Sequence, residues 1–336
     1  MVNILPIASG KGGVGKSSIA VNLAITLARK QKKVILADFD LGGANLHTLL
    51  GIKNNHAGIG NFIYKQTASL SSLIQPTQTE GLSFIVGDCL YPGTPNMDYF
   101  TKCKIVKELN SLDADYIILD LGAGTTYNTL DLFLLTHNSI LVTTPELTSV
   151  LNAYSFLKAG VFRFFMRQFS SKSDERRAVD EFIRNSPNGS EAGFTDLIEY
   201  LSGLFPESIV PAIEELKAFR PQVIVNMGQT LKDLEMAKRL RALSIKKLNT
   251  NIDFIGFLPK DDKISLSVAK RTPLALWEPD CEFVKAIDQC AGRILQHRYN
   301  CNNGYMFASD DNQDLSELTK EYANTHAVLE TAALKG

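Results

Sequence analysis

The 336-residue sequence predicts an α/β fold: a doubly wound, mainly parallel sheet carrying a helical insertion and a C-terminal helical tail. Three observations predict it. Short apolar runs of strand length alternate with segments whose apolar residues recur at helical spacing, the rhythm of parallel strands joined by helical crossovers. A glycine-rich loop, Gly10-Lys11-Gly12-Gly13-Val14-Gly15-Lys16-Ser17, stands between the first such run and the first such helix. Carboxylates close two of the other runs, at Asp38 and Asp40 and again at Asp120. The carboxyl ends of the strands are where open α/β sheets bind their ligands.

Ile4 to Ala8 reads as the first buried strand, and Ser18 to Lys30 as a helix with Ile19, Leu23 and Leu27 on one face. The loop between them fits the phosphate-binding pattern G-x-x-x-x-G-K-[ST]. Its backbone N–H groups and the following helix dipole favour phosphate oxygens, Lys16 reaches the outer phosphates, and Ser17 is placed to bind Mg2+. Gly10, Lys11, Gly12, Gly13, Val14, Gly15, Lys16, Ser17 and Ser18 are therefore the candidate ATP or ADP contacts. The second strand, Val34 to Ala37, leads into Asp38-Phe39-Asp40-Leu41-Gly42-Gly43-Ala44-Asn45. Asp38 and Asp40 share one side of an extended chain, where a carboxylate can orient an attacking water or hold Mg2+ through its water shell.

Further strands are expected at Leu82 to Val86, Tyr116 to Leu119, Ile140 to Thr143, Val223 to Val225 and Phe254 to Leu258. Asp120 ends a hydrophobic strand in the manner of a Walker B aspartate, and Gly122 to Gly124 can bring N–H groups close to a terminal phosphate. Residues 160–221 break the rhythm and read as an insertion of two to four helices, with helical spacing at Ala178 to Ile183 and Phe194 to Leu204 and a loop at Ser186 to Ser190. Asn226 closes a strand with an amide whose donor and acceptor match an adenine edge. Residues 1–298 thus form one nucleotide-binding domain. Residues 299–336 add a turn at Asn300 to Gly304, an acidic flexible stretch at Ser309 to Asp314 and a helix from Leu315 to Leu334, with Leu315, Leu318, Tyr322 and Leu329 on one stripe.

Composition narrows the class. The chain is 45% hydrophobic with a formal charge of -1, so it can bury a substantial core and carries no overall attraction for polyanions. Five cysteines without a C-x-x-C pair suit reduced thiols in the cytoplasm rather than a disulfide framework. The amino terminus lacks the basic region of a secretory signal, and no apolar run is long enough to span a bilayer.

The segment K-G-G-V-G-K-S, with Lys11 as a second lysine, resembles the deviant Walker A P-loop ATPases, a family that includes MinD, ParA, FlhG, the Mrp iron-sulfur carriers and nitrogenase iron protein. The resemblance extends to Asp38-Phe39-Asp40-Leu41-Gly42 with Asn45, to Asp120-Leu121-Gly122-Ala123-Gly124, and to Thr144-Pro145-Glu146-Leu147-Thr148-Ser149 with Ala153-Tyr154, which is nearest the MinD and FlhG branch. It implies that Lys11 crosses a homodimer interface to the partner's nucleotide, acting as an arginine finger does. Lys11, Lys16 and Asp40 are then the catalytic residues, with Asp40 at the water and Asn45 at a switch or dimer contact. Ser17, Asp38 and Asp120 surround Mg2+, the aspartates through water. Asn226 and the segment Gly256-Phe257-Leu258-Pro259 border the base, although Met227 stands where the family places a basic residue.

The leading functional expectation is an ATP-switched protein that dimerises with ATP, engages a regulatory protein partner and releases it on slow hydrolysis, positioning or regulating a cellular assembly. A second reading is ParA-like binding of nonspecific DNA through Lys238, Arg239, Arg241, Lys246 and Lys247, followed by Lys260, Lys263, Lys270 and Arg271. A third, an Mrp-like metallocofactor carrier, lacks the cysteine pair its family uses. The final helix carries Glu317, Glu321 and Glu330 against Lys320 and Lys335, a charge balance that favours docking on protein over anionic lipid; peripheral association with the inner membrane face is the alternative.

Overall fold

Eight strands form one sheet: β1 (Asn3–Ser9), β2 (Val34–Phe39), β3 (Gln75–Pro76), β4 (Leu82–Ile85), β5 (Tyr116–Ala123), β6 (Ile140–Thr143), β7 (Gln222–Gly228) and β8 (Asp253–Pro259). Their spatial order is β3-β4-β2-β5-β1-β6-β7-β8. The computed structural model describes residues 2–53, 57–87, 97–185, 193–301 and 313–333. All pairings are parallel except β3 with β4, so every apolar run read from the sequence is a strand and the two-residue antiparallel β3 is an addition.

Alternation along the strands explains the double winding. Ile4 and Ala8 of β1, Ile35 and Ala37 of β2, and Ile117 and Leu119 of β5 bury into one core. Leu5 and Ile7, Val34 and Leu36, and Tyr116 and Ile118 bury into the other, against Ile19, Leu23 and Leu27 of the helix Lys16–Arg29. Strands apolar on both faces need a helical layer on each. The chain passes from β5 to β6 across β1, so the loop after β1 lies where the connections diverge, the usual ligand crevice of such sheets. The β2–β5 register sets Asp38 beside Asp120, and period-two alternation turns both toward the face covered by Lys16–Arg29.

Between β6 and β7 the described residues form four helices, Leu147–Arg167, Asp174–Asn185, Phe194–Leu204 and Val210–Ala218. The first begins well before residue 160 because Val150, Phe156, Leu157, Val161 and Phe165 extend one buried stripe without a break. Phe165 and Phe194 meet edge-to-face at 5.1 Å, joining this helix to the third. The expected loop at Ser186 to Ser190 lies outside the described residues.

The end of the chain departs from expectation in two ways. The helix Glu282–Cys301 runs through Tyr299 and Asn300, where a turn is expected; residues 302–304 lie outside the described residues, as do 309–312 of the acidic stretch. The final helix begins earlier, at Gln313, and Asp314 is an anchor rather than a flexible acid. Its Oδ2 accepts the Phe254 N–H at 2.7 Å and the Arg241 guanidinium. Leu315 and Leu318 bury against the body, and Arg293 joins the free side of β8 to the tail by donating to Ile255 O at 3.1 Å and to Glu321. Leu329, also expected on this stripe, lies beyond the described side chains. Among the described residues, no helix is long and apolar enough to cross a membrane.

Candidate nucleotide site

The loop after β1 owes its shape to two close approaches. Gly15 has φ +86°, in the left-handed region that costs glycine nothing, and a Cβ there would stand 2.3 Å from Asn226 Nδ2. At Gly10 a Cβ would stand 2.2 Å from the Asn152 carbonyl oxygen, so the loop lies directly against the helix Leu147–Arg167. Gly12 and Gly13 face open space, where a phosphate group can meet the backbone. Val14 is buried, while Ser17 and Ser18 are half-buried on the first turn of the 14-residue helix Lys16–Arg29, which lends its N-terminal dipole.

The two loop lysines point to different places. Lys16 is 7% exposed and donates inward to Asp120 Oδ1 at 2.5 Å. Lys11 reaches outward and donates to Glu146 Oε2 at 2.9 Å at the surface. Glu146 precedes Leu147–Arg167, and its loop is tied down by Ser149, whose Oγ accepts the Thr144 N–H at 3.1 Å.

Asp38 and Asp120 are both 1% exposed. Asp38 accepts the Asp40 N–H on Oδ1 and the Leu46 N–H on Oδ2, each at 3.1 Å, so it fixes the segment that carries Asp40 and Asn45. Burial pushes its carboxyl up to about 7 and the Asp120 charge adds to the rise, against the two N–H bonds and Lys16. Burial likewise raises Asp120, opposed by Lys16 and Ser17. Asp40 is less enclosed. Its Oδ1 lies beside Gly122, within 3.3 Å of where a Cβ would be, so the segment after β2 and the loop after β5 converge on one carboxylate. Asn45 opens the short helix Leu46–Leu49.

The buried Oδ2 of Asp120 has no hydrogen-bond partner. An orphaned carboxylate oxygen next to the Ser17 hydroxyl is a donor set suited to a small hard cation that keeps several waters. The residues therefore fit Mg2+, which Ser17 and Asp120 would hold with Asp38 behind them.

The base-side residues divide. Asn226, 5% exposed, gives its Nδ2–H to Val14 O at 2.8 Å and so supports the loop from below, a task its amide chemistry alone did not reveal. Pro259 lines a cavity of about 310 Å³ at the carboxyl ends of β7 and β8, together with Gly228 and Gln229. The basic helix Leu234–Leu248 requires a correction. Arg241 is 4% exposed and bound to Asp314 and Ile252 O, because it anchors the tail; Lys238 pairs with Glu235 and Lys263 with Glu278. Lys270 lies over the Trp277 ring at 3.5 Å. Sequence reasoning missed the contacts of Glu146, whose only signal was membership in a motif, and of Asn152, whose backbone carbonyl carries no signal in the sequence.

Residues 1–159 match a family profile described as ParA: NUBPL iron-transfer P-loop NTPase. The septum site-determining protein MinD of Helicobacter pylori is 28% identical over 298 residues, 88% of this chain and 91% of that protein. The flagellum site-determining protein YlxH of the same organism is 37% identical over 160 residues, 46% of this chain and 52% of its own, so that match spans about half of either protein. Among solved structures, MinD of Pyrococcus horikoshii complexed with Mg-ADP superposes with a TM-score of 0.60 at 20% identity, covering 89% of this chain and 98% of that one; at this identity the likeness concerns the fold.

Proposed function

We propose that the chain, whose residues 1–159 match the ParA P-loop NTPase profile, is an ATPase of that family that binds ATP and ADP with Mg2+, hydrolyses ATP slowly and works as a dimerising switch. The observation that carries this reading is the divergence of the two loop lysines. Lys16 is committed to its own site, whereas Lys11 is held at the surface by a single exposed carboxylate. A cation so placed is available to a second copy's phosphates, and a dimer that forms around ATP shifts the population toward itself.

Within one protomer, the loop amides and Lys16 hold the phosphates, and phosphate oxygens compete with Asp120 for the Lys16 ammonium. Ser17 and Asp120, the latter freed from Lys16, would hold Mg2+, which would supply charge neutralisation for the phosphates. Asp40 orients the water. The loop from Gly122 to Gly124 reads the terminal phosphate and couples it to the segment fixed by Asp38. The relatives named for septum and flagellum placement support a cytoplasmic role in positioning or regulating a cellular assembly, with a regulatory protein as partner. DNA binding is the weaker reading, since several basic residues that suggested it are already paired. An iron-carrier reading lacks the C-x-x-C pair.

Substituting Lys16→Ala abolishes ADP binding in calorimetry, and Asp40→Ala leaves ATP-bound dimers that persist on a sizing column. An Asp40→Ala protein that stays monomeric with Mg-ATP would sink the assignment.

A further inference from the structure

The cavity at the ends of β7 and β8 has a wall that does not come from the sheet. Tyr322, on the helix Gln313–Ala333, lines it beside Gly228, Gln229 and Pro259, with Lys260, Asp262 and Glu282 adding charged groups. Its hydroxyl donates to Gln229 O at 2.6 Å, and its ring meets Phe257 edge-to-face at 5.1 Å. Asp314 and Glu321, which hold the same helix to β8 and to Arg293, keep the ring there.

The backbone around the cavity is shaped to keep it open. The β7–β8 register slips between Val225 and Gly228, and Met227 sits within the slip at φ +60°, a left-handed conformation unfavourable for a side chain of this kind. At Gly228 a Cβ would stand 2.2 Å from the Phe257 ring, so the strand ends are built around that ring and Tyr322 rests on it. Strain held in place by its surroundings points to a working site. The same stretch of β7 touches the phosphate loop, since Asn226 bonds to Val14 three residues before Gln229. The cavity thus lies at the end of the strand that supports the phosphate loop and, at about 310 Å³, is large enough for a heterocycle.

We propose that Tyr322 is a nucleotide-binding residue, its ring forming the outer wall against which the base of the bound nucleotide packs. The inference rests on the nucleotide reading above. It makes base binding and docking of the final helix mutually stabilising: the base gains an aromatic face, and the helix gains a contact absent without it.

The test uses the full chain, with Mg-ADP and with Mg-pyrophosphate as a probe lacking a base. Tyr322→Ala is expected to weaken ADP binding roughly tenfold, as loss of an aromatic platform does, while pyrophosphate affinity stays unchanged. Tyr322→Phe, which keeps the ring, retains most of the ADP affinity. In the wild type, ADP slows amide exchange of residues 313–322 and pyrophosphate does not. If the wild type binds ADP but residues 313–322 exchange as before and Tyr322→Ala binds normally, the proposal is overturned and the nucleotide reading stands. Equal losses in the Phe and Ala variants also overturn it. A wild type that binds neither ADP nor pyrophosphate overturns both.

Discussion

Removing the carboxylate that holds Lys11 should make the protein a better dimer. Lys11 and Glu146 are 31% and 67% exposed, and an ion pair of this kind contributes about 0.2–1 kcal/mol. If Lys11 must leave Glu146 to reach a partner's phosphates, a symmetric dimer breaks two such pairs. Glu146→Gln spares that cost, about 0.4–2 kcal/mol in total, and lowers the dimer dissociation constant by about 2- to 30-fold. The assay is sedimentation velocity with Mg-ATP at low salt, in an Asp40→Ala background so that hydrolysis does not deplete the dimer. The gain should shrink as salt rises toward about 1 M, where the screening length falls to about 3 Å. Lys11→Gln should bind nucleotide yet remain monomeric. Unchanged or weaker dimerisation of Glu146→Gln at low salt refutes the idea that this pair restrains the lysine.

Three further outcomes follow from the site and the tail. Gly15→Ala needs a left-handed alanine, about 1–2 kcal/mol, and drives its methyl into Asn226, so ADP affinity in calorimetry should fall at least about a hundredfold while the fold survives. Asp38 has a folded-state pKa of about 7 against an ordinary 3.8, so the folded protein holds its proton longer and loses stability as pH rises from about 4 through 7. Urea melts in EDTA should show an Asp38→Asn advantage that grows across that window, toward an upper bound of about 4 kcal/mol, and is flat above it; an advantage that shrinks with rising pH would contradict the burial argument. Leu318, 2% exposed, fastens the tail, and Leu318→Ala should cost about 2–5 kcal/mol, read as faster exchange of residues 313–322 with the sheet unaffected.

The strands and the loop were legible because each is written locally: apolar runs of three to five residues, then glycines and two lysines in fixed register. Asp38 and Asp120 were legible as strand ends for the same reason. What the residues near Asn226 contribute was not, since its bond to Val14 spans 212 positions and depends on β7 lying beside β6 and not elsewhere. Arg241 misled for a related reason. On a helical wheel it joins a basic group, but its partner, Asp314, lies 73 residues away in a stretch whose acidity reads as solvation. Glu146 stood in plain view within a motif, yet a motif says which residues recur and not which neighbour each one holds. The antiparallel β3, at two residues including Pro76, is too short for periodicity to register.

The borders of the finished sheet offer little for another copy's strand to extend. One lateral border is a two-residue strand with a proline, which offers almost no ladder to extend. At the other, β8 has its outward N–H and C=O of Phe254 and Ile255 already taken by Asp314 and Arg293. Edge-to-edge growth, the common route to unregulated polymers, is hindered at β8 by two side chains. Self-association through broad surfaces, the kind the proposed dimer would use, meets no such obstacle at the sheet borders.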